Sequence, residues 1–243
     1  RRQRQMCIRD RVYVDASTGE IVLRNPIIKH AHKFGHDGGL NPNIDAYVPT
    51  LAEAKIMGFT ESVTLVAAGD ADTKYSGDNQ PVETIQDGGT YTLISIPGAY
   101  IRTYDANNAA ANSTTGIELV TDPNNDNDWT AAEFPGKAQG ELDAHWGAEE
   151  VYDYWNTVHG RNSYDGAGAT IFSLVHVSTN YDNAFWNGSW MSYGDGSSNG
   201  NEGNGNFDRL TSLDDCAHEI GHAIISNTAD LAYQRESGGL NEG

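Results

Sequence analysis

The chain has 243 residues, 34 of them acidic and 15 basic, for a net charge of −19. That balance excludes nucleic acid and anionic membrane as partners held by charge, and no apolar run reaches the ~18 residues that a membrane span needs. The length is enough for one sizeable domain with its own core.

The first ten residues, Arg1 to Asp10, spell out what a common transposase-type sequencing adapter gives when translated. Residues 1–11 are therefore set apart from fold and function, as a fusion scar would be. Removing the four Arg and one Asp of the first ten leaves 11 basic against 33 acidic residues, a net −22. Cys7 leaves with that segment. Cys216 is then the one native cysteine, so no internal disulfide is expected and cysteines say nothing of the redox compartment.

Apolar alternation at 12–14 and 21–23, around turn residues 17–19, predicts a hairpin. His30, His32 and His36 are close enough for a metal cluster, but exposed, idle histidines are the simpler reading. Residues 51–57 read as a short helix. From 46 to 141 the chain is a series of short β-prone runs between Gly, Asn and Asp turns, clearest at 91–96 and 100–104. Asp122, Asp126 and Asp128 place hard oxygen ligands at near-alternate spacing, which suits calcium and equally a solvated turn.

Trp146, Val151, Tyr154, Trp155 and Val158 recur at helical spacing and predict a helix over about 143–159. A strand is predicted at 169–177. Phe185, Trp186 and Trp190 read as hairpin packing rather than a carbohydrate platform, and Asp195 as a turn residue. Residues 197–206 are a Gly/Asn/Ser-rich loop.

The next segment carries the chemistry. His218-Glu219-Ile220-Gly221-His222 is an H-E-x-x-H motif. On a helix its two histidines share one face, and Glu219 lies about 100° away. Two imidazoles on one face can share a metal ion, and the glutamate is placed to act as a base without being a ligand. A zinc hydrolase needs three protein ligands, one open position and a base. Ser212 to Asp215 has the form of a capping box, so a helix starts here, and Asp214 and Asp215 suit its positive end. Leu213, Ala217, Ile220 and Ile224 form an apolar stripe, which argues against an exposed helix that carries two histidines by chance.

Residues 217–223 and 233–242, the stretch 183–188 with 193–196, and the stretch 143–161 together resemble the thermolysin-like (M4) metallopeptidases. The resemblance runs over about 34–243, with a weaker extension before it. It implies an α+β fold, with a large, mostly antiparallel sheet packed on helices and the H-E-x-x-H helix at its centre. It implies residues 12–33 as the end of a propeptide and 34–243 as the N-terminal part of the catalytic domain, with a helical second lobe absent from this chain. The zinc ligands would be His218, His222 and Glu242, and Glu219 the general base. Tyr233 would stabilise the oxyanion. Asn183 would bind the substrate backbone, with the main chain at Ala184 and Trp186 pairing with an extended peptide. Asn241 would orient a ligand histidine. Asp214 would serve one calcium ion, and Asp126 with Asp128 another.

The implied partners are peptide or protein substrates and the chain's own propeptide, and the implied location is extracellular. Glu242 is the penultimate residue, on a helix expected to be cut in its first turn, so the chain alone is expected to bind zinc weakly and turn over slowly. The competing readings are an inactive fragment and a non-catalytic binding or structural module of the same fold. Such a module would naturally have lost Glu219 or a zinc ligand, and both are intact.

Overall fold

The computed structural model describes residues 10–14, 21–26, 64–95, 101–198 and 207–242. The expected helix at 51–57, His30, His32, His36 and most of the loop at 197–206 lie outside them. The expected N-terminal hairpin is present. Strand β1 (Asp10–Val14) pairs antiparallel with β2 (Ile21–Pro26).

The α+β class stands, with the strands divided over two further sheets instead of one large one. The first contains β3 (Thr64–Thr73), β4 (Gly77–Asp87), β5 (Thr90–Thr92) and β9 (Asp128–Trp129), in the order β5-β4-β3-β9. The second is built on β6 (Ile94–Ser95), β7 (Ile101–Asp105), β10 (Ile171–Val175), β11 (Ala184–Trp186) and β12 (Met191–Tyr193). Its order is β11-β12-β10-β7-β6, with β8 (Glu118–Leu119) also on β7. The run expected as one strand at 91–96 thus serves both sheets. It turns the corner at Leu93, whose N–H bonds to the Val120 carbonyl at 3.0 Å.

Strand β10 is parallel to both β7 and β12. A parallel neighbour needs a crossover connection, and helix α1 (Gln139–His159) lies on the connection from β7 to β10. It starts four residues before the predicted point, out of a 3-10 turn at Gly136–Ala138, and ends on Gly160 in the left-handed region, φ 62°.

Helix α1 is the centre of the lobe. One side packs Ala144, Ala148, Val151 and Tyr152 against the second sheet and against helix α2 (Leu213–Ser226). Leu142, on another side, packs with Ala71, Val82, Leu93, Val120 and Trp129 of the first sheet and its neighbours. The C-terminal third of α1 runs out beyond this core, so Tyr154 and Val158 of the predicted stripe are 53% and 60% exposed.

The stripe predicted on α2 is also rotated. Leu213 and Ala217 are exposed, and the buried face is Cys216, Ile220, Ala223 and Ile224. The reason is Gly147 on α1: a Cβ there would stand 2.8 Å from Cys216 Sγ. Only a glycine lets the two helices approach along that line.

Asp143 on α1 ties the lobe together and is 2% exposed. One of its carboxylate oxygens accepts the Tyr75 amide at 3.1 Å, and the Tyr75 hydroxyl donates to the Arg209 carbonyl at 2.8 Å. Burial pushes the Asp143 carboxyl up to about 7, against the opposing pull of the Tyr75 amide and Arg209. In the unfolded chain it ionises near 4. Between about pH 4 and 7 the folded state keeps a proton that the unfolded state has lost, so stability falls as pH rises through that window. Asp143→Asn keeps the acceptor for Tyr75. It is expected to flatten the fall and to raise stability at pH 8 by about 2 kcal/mol. Urea unfolding at pH 5 and pH 8 checks this, and an equal loss at both pH values would contradict it.

Candidate metal centre

Local signals set helix α2. The Ser212 hydroxyl accepts the Asp215 amide at 3.4 Å, and the Asp215 carboxylate accepts the Ser212 amide at 3.2 Å, which is the predicted capping box. Asp214 lies in the first turn, where its carboxylate accepts from the Ser212 hydroxyl. With the helix phase fixed by Gly147 and Cys216, Glu219 is fully buried. His222 is 7% exposed and His218 somewhat more.

The third donor comes from helix α3 (Arg235–Asn241). It has seven residues, two turns rather than the expected one, and Glu242 is its C-cap. Gly238 is buried against the Tyr233 backbone, 3.1 Å from its carbonyl carbon to a Cβ built there, and seats the helix. Glu242 Oε2 then stands 3.3 Å from His218 Nε2 and its Oε1 3.9 Å from His222 Nε2, and the two Nε2 atoms are 3.0 Å apart.

The Asn241 amide is oriented by its own donation to the Leu231 carbonyl at 3.1 Å. Its Oδ1 therefore faces His222 Nδ1, at 2.7 Å. An amide oxygen only accepts, so Nδ1 carries the proton and Nε2 keeps its lone pair toward the cluster. Burial disfavours the charged form of His218. The neighbouring Glu242 and Glu219 outweigh it and hold its pKa above the ordinary value.

The donor set fits a zinc ion. Bonds of about 2.0–2.2 Å in a tetrahedral site place ligand atoms about 3.3–3.6 Å apart, and the three separations here bracket that range.

Glu219 is outside the donor triangle. Its Oε2 accepts the Trp186 amide at 2.8 Å. Resemblance assigned the Trp186 main chain to a peptide. Its N–H holds the glutamate, a role no sequence pattern marks because the donor is backbone. Trp186 belongs to β11, the end strand of its sheet. Asn183, just before that strand, is 5% exposed, and its Oδ1 has no hydrogen-bond partner. Tyr233 brings its ring centroid to 6.3 Å from that of His222. Phe185, Trp186 and Trp190 are all buried, as hairpin packing requires.

The acidic stretch is arranged differently from the expected pair. Asp126 groups with Asp122 and Glu133, and Asp128 stands outside that group in β9. Asp122 is turned to the backbone, accepting the amides of Asn124 and Asn127 at 2.9 and 2.7 Å.

Comparison with known proteins follows the same lines. The family model described as thermolysin metallopeptidase, catalytic domain, matches residues 69–226, a span that holds Asn183, His218, Glu219 and His222 and ends before Tyr233 and Glu242. Bacillolysin of Brevibacillus brevis is 48% identical over 167 residues, 68% of this chain and 28% of that protein. The transglutaminase-activating metalloprotease of Streptomyces mobaraensis is 38% identical over 179 residues, 73% of this chain and 22% of that protein. Among solved structures, the precursor of protealysin, a metalloproteinase from Serratia proteamaculans, has a TM-score of 0.47 at 28% identity, over 61% of this chain and 42% of that one. The chain spans about a quarter of the length of the curated relatives.

Proposed function

The chain belongs to the thermolysin metallopeptidase family, and on that footing we propose that it carries the metal and general-base centre of a secreted zinc endopeptidase made as a zymogen. The observation that supports this most is the convergence of His218, His222 and Glu242 beside a buried Glu219.

Zinc held by His218, His222 and Glu242 would supply Lewis acidity, polarising a peptide carbonyl and making a water acidic near pH 7. The chain's own residues do the rest. Glu219 takes the proton of the attacking water and passes it to the leaving amine. The Trp186 amide holds one of its oxygens and fixes the direction from which it acts. Asn241 keeps His222 in the tautomer a ligand needs. Tyr233 is the donor toward the carbonyl oxygen as charge develops on it, a contribution of about 10²–10³ in rate for such a group.

The outer edge of β11 at Ala184 takes the substrate as an added strand, and the buried Asn183 amide bonds the peptide backbone. Substrates are peptides or proteins. Residues 12–33 form the end of the propeptide and 34–243 the catalytic part. Calcium ions at Asp214 and at the Asp122–Asp128 stretch stabilise the fold. The described residues contain no helix long and apolar enough to cross a membrane.

Glu219→Gln separates binding from chemistry. Zinc affinity is expected to change by less than a few-fold, because Glu219 is not among the three donors. Hydrolysis of a fluorogenic peptide is expected to fall by at least about 10³-fold. Undiminished hydrolysis in the variant would remove Glu219 from the reaction.

A further inference from the structure

Outside the centre just described, buried charge gathers where β7 and β10 end. The two strands are parallel, with Val175 opposite Asp105, so the chain leaves both at the same edge. Asp105 closes β7, His176 follows β10, and Glu141 comes from the first turn of α1. One donor atom from each lies within 4.8 Å of the others. His176 and Glu141 are 9% and 6% exposed, and His176 Nε2 is 3.3 Å from Glu141 Oε1.

The other imidazole nitrogen has a separate partner. His176 Nδ1 is 2.6 Å from Asp195 Oδ1. Asp195, two residues past β12, is a buried ion-pair partner and not the turn residue its sequence suggested. A carboxylate accepts, so Nδ1 donates, and Nε2 is the nitrogen turned to Glu141, with Asp105 completing the group within 4.8 Å. An imidazole held by a carboxylate on one nitrogen, with further carboxylates facing the other, is the carboxylate–histidine–metal arrangement. The His218 centre repeats its logic, with Asn241 on His222 Nδ1 and Glu242 facing Nε2.

Charge points the same way. Three carboxylates, Asp105, Glu141 and Asp195, face one imidazole. Burial pushes the Glu141 pKa up and the two aspartates add to the push, with His176 opposing. A protonated His176 offsets one of these carboxylates and leaves the others facing each other in a largely buried place, where unpaired charge is costly.

We propose that Asp105, Glu141 and His176 form a second metal site for a divalent ion, with Asp195 as the residue that orients His176. The imidazole and mixed oxygen donors suit zinc or a similar transition ion better than calcium. The ion would tie the ends of β7 and β10 to the start of α1 and to the segment after β12. The site is structural and does not rest on the peptidase reading. Held by Asp195 and Glu141, His176 has its pKa raised to about 10 in spite of burial, so the ion displaces a proton when it binds.

The test is a zinc titration of the full 243-residue chain at pH 7.5 against a chromophoric chelator. The wild type is expected to bind two equivalents, His222→Ala one, His176→Gln one, and the double variant none. Glu141→Gln, which keeps the side-chain shape, is expected to weaken the second equivalent at least tenfold and leave the first unchanged. It decides the matter if His176→Gln does not fold. Asp195→Asn is expected to weaken the second equivalent about 10- to 100-fold. One equivalent in the wild type, lost in His222→Ala, would overturn the proposal and leave the cluster as a proton-bridged charge clamp. So would a second equivalent that survives both His176→Gln and Glu141→Gln. One equivalent lost only in His176→Gln would uphold this site and remove the other.

Discussion

Replacing His222 with alanine is expected to empty the His218–His222–Glu242 centre, with zinc affinity there falling by at least about 10³-fold. Binding energies of about 10–16 kcal/mol for a full set of zinc ligands leave several kcal/mol to each, and every 1.4 kcal/mol is a factor of ten. His222 is firmly held. It is 7% exposed and bonded to Asn241 at 2.7 Å, and Asn241 is itself held by the Leu231 carbonyl. Alanine removes the ligand atom and leaves Asn241 without the group it orients. Asn241→Ala, which spares the ligands, is expected to cost only about 10- to 100-fold. The order of effects is then His222→Ala well above Asn241→Ala, and Asn241→Ala above Glu219→Gln. The His176→Gln background isolates this centre for a chelator competition. Binding within tenfold of wild type in His222→Ala would show that the pair on α2 does not hold the ion.

The parts of this centre that were legible in the sequence are those that local physics decides. The capping box at Ser212 and Asp215 and the four-residue spacing of His218 and His222 depend on no distant residue, and the structure holds both. The face that α2 buries depends on Gly147 and Cys216 across the helix pair. A stripe read from α2 alone therefore drew in Leu213 and Ala217, which are exposed. The same holds for α1, whose periodicity continues through Tyr154 and Val158 after the core has ended.

Glu242 reaches the histidines through a chain reversal that composition does not encode, and only the resemblance pointed to it. The Trp186 amide on Glu219 is invisible to any reading of side chains. Asp195 sits in a Gly-Asp-Gly context that reads as a turn, and its partner His176 lies 19 residues away. The split of residues 90–95 between two sheets follows from the hydrogen bond at Leu93, a tertiary choice between two available edges.

Glycine-to-alanine replacement at two positions of this lobe is expected to act in opposite directions. At Gly194 a Cβ would lie 2.1 Å from the Tyr181 carbonyl oxygen and 2.8 Å from that of Asn183. Both are backbone atoms, and neither has room to retreat. The Gly194 amide donates to the Asn183 carbonyl, and its own carbonyl accepts the Leu210 amide, each at 3.0 Å. The added methyl must break one of these bonds or push the 181–183 segment away from β12. The expected cost is at least about 3 kcal/mol, at the upper end for overpacking because the obstruction is main chain.

At Gly221, inside the H-E-x-x-H helix, a Cβ meets nothing within 4 Å. Alanine there restores helix propensity and restricts the unfolded chain, and is expected to stabilise by about 0.5–1 kcal/mol. Urea midpoints at constant m-value read both changes. Gly194→Ala within 1 kcal/mol of wild type would mean that the segment carrying Asn183 yields, and with it the fixed position asked of that side chain. A destabilising Gly221→Ala would mean that the outer face of the metal helix is already covered. Because Asn183 hangs from the carbonyl that Gly194 holds, Gly194→Ala should also weaken binding of a peptide along β11, whereas Gly221→Ala, on a helix whose donors stay in place, should leave zinc affinity unchanged.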